Sequence, residues 1–281
     1  MQFYKGIALG ALTITVMLPA QAQVVNPSFE SVTGRIPNSW IATGNVGFIT
    51  NTFGKTPTHG SNAAYLYADN TAAPSVTTGS QVSAATLATA AGTTTAALNA
   101  ASPSGQSVTA GVAAAGGSVL TQTFAVTAGS ALTFDWTFLT TEDIVLNPGT
   151  FNDDFAFFAA NGAVTTLGDV NSAFHYVPFT GGAVDGSNVE SFLYETGDGT
   201  GNSATRTSDY NANTGTNFGV NKYQTQTINF VAAGNVILTF GVINANNPGS
   251  TGSTPSALLV DNIQFFLPEP GTLSLLELGL G

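Results

Sequence analysis

Val119-Leu-Thr-Gln-Thr-Phe-Ala-Val126, Thr127-Ala-Gly-Ser130 and Ala131-Leu-Thr-Phe-Asp-Trp-Thr-Phe-Leu139 follow one another without a break. In the first and third pieces apolar and polar residues alternate with period two, the spacing that sends successive side chains to opposite faces of a strand. Ala128-Gly129-Ser130 is the turn between them. Leu132, Phe134, Trp136 and Phe138 then share one face, and burying each is worth ~1.5–3 kcal/mol, so this face is the expected core. Working outward, Phe155–Phe158, Thr227–Val231, Asn235–Ile243 and the last strand, Ser256–Phe266, carry the same strand character. The fold class is all-β.

The chain has 281 residues, no cysteine, 7% charged residues and a formal net charge of -11. Charge is thus far below the ~25% of an average domain, and the surface must be rich in hydroxyl and amide groups. An acidic chain lacks the basic footprint that nucleic acid or an anionic lipid surface requires. Without disulfides, an exported chain depends on a large core or on metal for stability. The length suits one all-β domain, interrupted at about 72–116 by an Ala/Thr/Ser/Gly-rich insert. One short helix is expected there around Ala84–Ala100, with Leu87, Ala91 and Leu98 as its buried stripe; low-complexity disorder is the other reading. Asp185–Gly219 reads as loop or edge.

Both ends carry an address. Residues 1–22 have Lys5, an apolar run from Gly6 to Leu18 and Ala20-Gln21-Ala22, the small-x-small pattern cut by signal peptidase. The domain then spans 23–267, and 268–281 form a tail opening on Pro268-Glu269-Pro270. This tail resembles the sorting signal of bacterial PEP-CTERM proteins, which implies recognition by an exosortase and a place at the cell surface or in the extracellular matrix of a Gram-negative bacterium, where exopolysaccharide and biofilm are the associated setting. Thr272–Gly281 is about half the ~20 apolar residues of a spanning helix, no basic cluster follows, and Glu277 interrupts it. Weak membrane anchoring, or none, is the expectation.

Gln23-Val-Val-Asn-Pro-Ser-Phe-Glu30, Pro37-Asn-Ser-Trp40, Pro57–Leu66, Gly117–Gly129 and the final strand fall in the order seen in galactose-binding-type jelly rolls, the sandwich of many carbohydrate-binding modules. The resemblance implies a jelly-roll β-sandwich whose first segment, taken as a strand, lies beside the last. It also implies a structural calcium held by Glu30 and Asp261 with backbone carbonyls.

A second group of oxygen ligands is Glu142, Asp143, Asn152, Asp153 and Asp154, whose spacing is similar to that in bacterial adhesion modules of the choice-of-anchor kind. Carboxylates and amides at this density could surround calcium, could be a solvated loop, or could supply a glycosidase pair, Glu142 with Asp153. His59 and His175 stand far apart without thiols or acidic neighbours, which leaves little for zinc or a serine triad. Trp40, Tyr65, Tyr67 and Tyr210 could stack on sugars if exposed. The reading is a secreted, non-catalytic surface or matrix protein in contact with polysaccharide; the alternatives are a dedicated carbohydrate-binding module and a glycoside hydrolase.

Overall fold

Residues 119–126 and 131–139 form strands as their alternation requires, but the turn between them carries the chain from one sheet to another. The computed structural model describes residues 23–50, 56–68, 82–102, 116–140, 154–169, 174–184, 187–194, 209–211, 216–219, 223–244 and 256–267, with the backbone alone for 140 and for the strands between 174 and 219. In chain order the elements begin with β1 (Val32–Thr33), β2 (Ile36–Pro37), β3 (Ile41–Thr43), β4 (Asn45–Thr50) and β5 (Asn62–Ala68). The insert holds β6 (Val82–Ser83), α1 (Ala84–Ala90) and α2 (Thr95–Ala101). Then come β7 (Gly116–Val126), β8 (Ala131–Thr140), β9 (Phe155–Ala160), β10 (Ala163–Asp169), β11 (Phe174–Val184), β12 (Ser187–Tyr194), β13 (Asp209–Asn211) and β14 (Thr216–Gly219). The last three are β15 (Gln224–Asn229), β16 (Gly234–Asn244) and β17 (Ser256–Phe266).

One sheet runs β10-β9-β16-β7-β3, with β6 beside β7; the other runs β12-β11-β8-β17-β5-β4, with β15 beside β8. Successive strands β7, β8 and β9, and again β15, β16 and β17, alternate between the two sheets, so the chain wraps the sandwich as a jelly roll. The last strand is therefore central, pairing antiparallel with β5 and with β8.

Leu132, Phe134, Trp136 and Phe138 all lie in the core between the sheets. Phe134 sits at its centre, edge-on to Phe158 at 5.7 Å and to Phe240 at 4.8 Å. Such aromatic pairs add about 0.5–1.5 kcal/mol beyond area burial. The run Phe155-Ala-Phe-Phe158 does not alternate because β9 is covered on both sides: Ala156 and Phe158 face the inner core, while Phe155 and Phe157 pack under the insert. β5 and β17 behave alike, with Tyr65, Tyr67, Ala257 and Leu259 in a second buried cluster on the opposite face from Leu66, Leu258 and Val260.

The expected single helix at 84–100 is instead two. Gly92 takes φ 63° just after the end of α1, a left-handed conformation that halts the helix and that glycine adopts freely. The chain then restarts on Thr94, whose hydroxyl accepts from the Ala97 N–H at 3.1 Å, as Ser83 caps α1 through Thr86. The stripe of Leu87, Ala91 and Leu98 is fully buried as expected. Leu87 and Leu98 lie with Val119, Phe155, Phe157 and Ile243 on the outer side of the first sheet. The opening segment also differs from expectation. Residues 23–31 form turns rather than a strand until β1, because Asn26 (φ 54°) and Phe29 (φ 56°) both adopt positive φ. The residues expected to be loop or edge, 185–219, contain β12 at the edge of the second sheet and the separate β13–β14 hairpin.

Candidate functional site

The segment after residue 23 and the last strand meet around one short loop, Pro57-Thr-His-Gly-Ser-Asn62, and a side chain from each holds it. Asn26 builds the first side. Its amide nitrogen donates to the carbonyls of Ser31 (2.7 Å) and Asn38 (3.1 Å), its side-chain oxygen accepts from the Ser31 N–H (3.0 Å), and its backbone carbonyl accepts from Trp40 Nε1 (3.2 Å). Trp40 in turn packs on Phe29 at 5.4 Å. Asn26, Phe29 and Trp40 thus act together: they fold residues 26–40 into a plug whose apolar side closes the core.

The plug places Glu30 over the loop, where its Oε1 accepts from the N–H groups of Ser61 and Asn62, both at 2.9 Å. Gly60 has φ 69°, and any Cβ there would overlap the Glu30 carboxylate. From the other side, Asp261 Oδ2 accepts from the His59 N–H (2.8 Å) and the Thr58 hydroxyl (3.2 Å), while Oδ1 accepts from the Asn262 N–H (2.7 Å). A direct backbone bond, Ile263 N–H to the Pro27 carbonyl at 3.0 Å, completes the junction. Asp261 has no exposed surface. Burial raises its carboxyl from 3.8 to about 6, against the pull of the His59, Asn262 and Thr58 hydrogen bonds.

Glu30 and Asp261, expected together, are thus brought to one loop, although Glu30 stands in a turn segment and not on a strand. His59 contributes a backbone N–H in a loop, as its turn-like surroundings implied. Trp40, Tyr65 and Tyr67 are buried in the fold, so none of them offers an exposed ring to a sugar. The side chains of Tyr210 and His175 lie outside the described residues. Of the second oxygen-rich group, Asp154 is described, fully buried at the entrance to β9; Glu142, Asp143, Asn152 and Asp153 are outside the described residues. So are Ala20, Ala22, Pro268, Glu269 and Pro270. Among the described residues no three His, Asp or Glu side chains cluster as a metal site, and no helix is long and apolar enough to cross a membrane.

Sequence reasoning missed Gln122, which is buried on β7. Its Oε1 accepts from the Val25 N–H (2.8 Å), and its Nε2 donates to the Val25 and Ser39 carbonyls (2.9 Å each). One side-chain amide therefore takes the place of a neighbouring strand for the start of the plug. The signal available was a glutamine inside the Leu-Thr-Gln-Thr-Phe alternation, at a position whose apolar counterparts are buried.

The fold and the junction define a jelly-roll β-sandwich closed by a carboxylate clasp between its ends. No protein-family profile and no curated protein matches the chain. Among solved structures it is similar to the carbohydrate-binding module TmCBM61, solved in complex with β-1,4-galactotriose, at 10% identity and a TM-score of 0.35, over 89% of this chain and 100% of that one. A likeness at that level carries no argument about ligand or site, and the assignment of fold rests on the strand order above.

Proposed function

We propose that this chain is a non-catalytic β-sandwich working outside the cell, in contact with polysaccharide at the surface or in the matrix. The observation that carries the reading is the chemistry of its surface. Threonine, asparagine and glutamine face outward along β8, β15 and β17, and Arg35 is the one Lys or Arg among the described residues. Such a surface exchanges hydrogen bonds with hydroxyl-rich polymers and, among the described residues, offers an anionic partner only Arg35. The leader at 1–22 and the Pro268-Glu269-Pro270 tail support export and surface sorting. The clasp supports a structural role for its two carboxylates, since three backbone N–H groups of the 57–62 loop are spent on them.

Calcium at the clasp belongs to the same proposal. Glu30 and Asp261 both accept from one loop, their oxygens retain acceptor sites beyond the bonds described, and the buried Asp261 anion lacks a charge partner among those bonds. That donor chemistry fits calcium, which takes carboxylates and carbonyls in a tolerant geometry. When bound, the ion would supply the positive charge that Asp261 lacks. Incubation of the full chain with soluble polysaccharides, followed by both co-sedimentation and a reducing-end assay, tests the function. Co-sedimentation without new reducing ends is expected. New reducing ends would instead establish the hydrolase, with Glu142 and Asp153 as its first suspects.

A further inference from the structure

The outer face of the second sheet changes character halfway along β17. Toward Ser256 it is apolar and buried. From Asn262 onward it is polar and open, because a bulge between Asp261 and Gln264 resets the strand. Past the bulge Phe265 turns inward onto Phe124 and Phe230, so Gln264 and Phe266 turn outward. Gln264 stands opposite Thr133, and Thr133 opposite Thr227; in the next layer Phe266 stands opposite Ala131, and Ala131 opposite Asn229. Residues that face each other across antiparallel strands share a side of the sheet. Leu132, Phe134 and Trp136 are in the core, which fixes that side as the outer one.

Three features make this face more than ordinary surface. Phe266 is 48% exposed and lies beside a small neighbour, Ala131, which leaves its ring open from that side. The polar groups are already ordered: Thr225 Oγ1 donates to Asp135 Oδ1 (2.7 Å), Asn262 Nδ2 to Asp135 Oδ2 (2.9 Å), and Gln264 Nε2 to Asn262 Oδ1 (2.9 Å). Groups ordered before binding lose less entropy when a ligand arrives. Finally, among the described residues the array contains one carboxylate and no cation, on a chain of net charge -11.

We infer that this face of β8, β15 and β17 binds a neutral, extended polysaccharide. The C–H face of a sugar ring packs on Phe266, while Gln264, Thr133 and the Asp135 carboxylate exchange hydrogen bonds with its hydroxyls. With strands ~4.8 Å apart and same-face residues ~6.8 Å apart, the array measures roughly 10 by 14 Å, a flat strip suited to about two or three rings. Anionic polymers are repelled by the net charge, and nucleic acid finds no basic group among the described residues of this face. The inference rests on the polysaccharide reading above and assigns it a site.

Affinity electrophoresis of the full chain through gels containing hydroxyethylcellulose, xyloglucan or dextran tests it, with alginate as the anionic control. At least one neutral polymer should retard the wild type and alginate should not. Phe266→Ala should weaken that retardation about tenfold and Gln264→Ala several-fold, while Thr123→Ala, exposed on β7 in the other sheet, leaves it unchanged. Melting temperatures of the variants should match the wild type, since the altered side chains are exposed. Retardation that survives both β17 variants overturns this face and leaves polysaccharide association standing elsewhere. No retardation of the wild type overturns both. A β17 variant that alters the sedimentation coefficient and not the retardation would make the face a self-association surface, which also overturns the inference.

Discussion

Protonating Asp261 should stabilise the protein. Folded, its carboxyl titrates near about 6; its ordinary value is 3.8. Between these values the native chain holds a proton that the unfolded chain has released, so stability falls as pH rises through that window. The gain is fully present below the unfolded value and is lost as pH climbs past the folded one. Integrated from pH 5 to pH 7, the loss is about 1.3 kcal/mol. At ~2–4 °C per kcal/mol for a chain of this size, the melting temperature should drop by about 3–5 °C. The informative quantity is wild type minus Asp261→Asn, measured in chelator, because the subtraction removes what the rest of the chain contributes. The variant keeps the size of the side chain and cannot titrate. A difference curve that is flat, or that rises from pH 5 to pH 7, would refute the argument: the three donors around Asp261 would then outweigh its burial. Millimolar calcium should flatten the same curve by favouring the ionised form.

Gly60→Ala should lower stability by about 1–2 kcal/mol through its left-handed backbone alone, and more if the Glu30 carboxylate is pushed off the loop; urea denaturation measures both variant and parent. Gln122→Ala removes three hydrogen bonds to the Val25 and Ser39 backbone in a buried place and should cost on the order of 3 kcal/mol, with residues 23–26 newly open to proteolysis. At neutral pH, calcium at a hundredfold excess over Kd should add about 2.7 kcal/mol, seen as a higher melting temperature that Asp261→Asn abolishes and magnesium does not reproduce.

The sandwich was legible wherever one face of a strand is buried and the other is not. β7 and β8 show it: alternation chose the inward residues of β8 correctly, and the 128–130 turn joined the two strands. Legibility failed where burial is two-sided or where the backbone departs from regular geometry. The insert's stripe was visible, but its break depended on Gly92 taking a left-handed conformation followed by a capping Thr94. The opening Asn-x-x-Phe-Glu looked like a strand because its order resembles jelly-roll modules, whereas two positive φ angles make it a plug. Asp261 was singled out as the acid in an apolar strand. Besides the N–H of the adjacent Asn262, its partners are the His59 N–H and the Thr58 hydroxyl, about two hundred residues away, and no local pattern encodes those two. The outward turn of Phe266 depends on a bulge at Asn262, without which strict alternation from Val260 would place Phe266 inside.

Glycan-array binding of the full chain, run with calcium and again with chelator, tests the account most directly. Binding to neutral glycans, absence from anionic ones, and weaker binding in chelator as the clasp loosens are the expected result. An array with no glycan bound in either condition would contradict it.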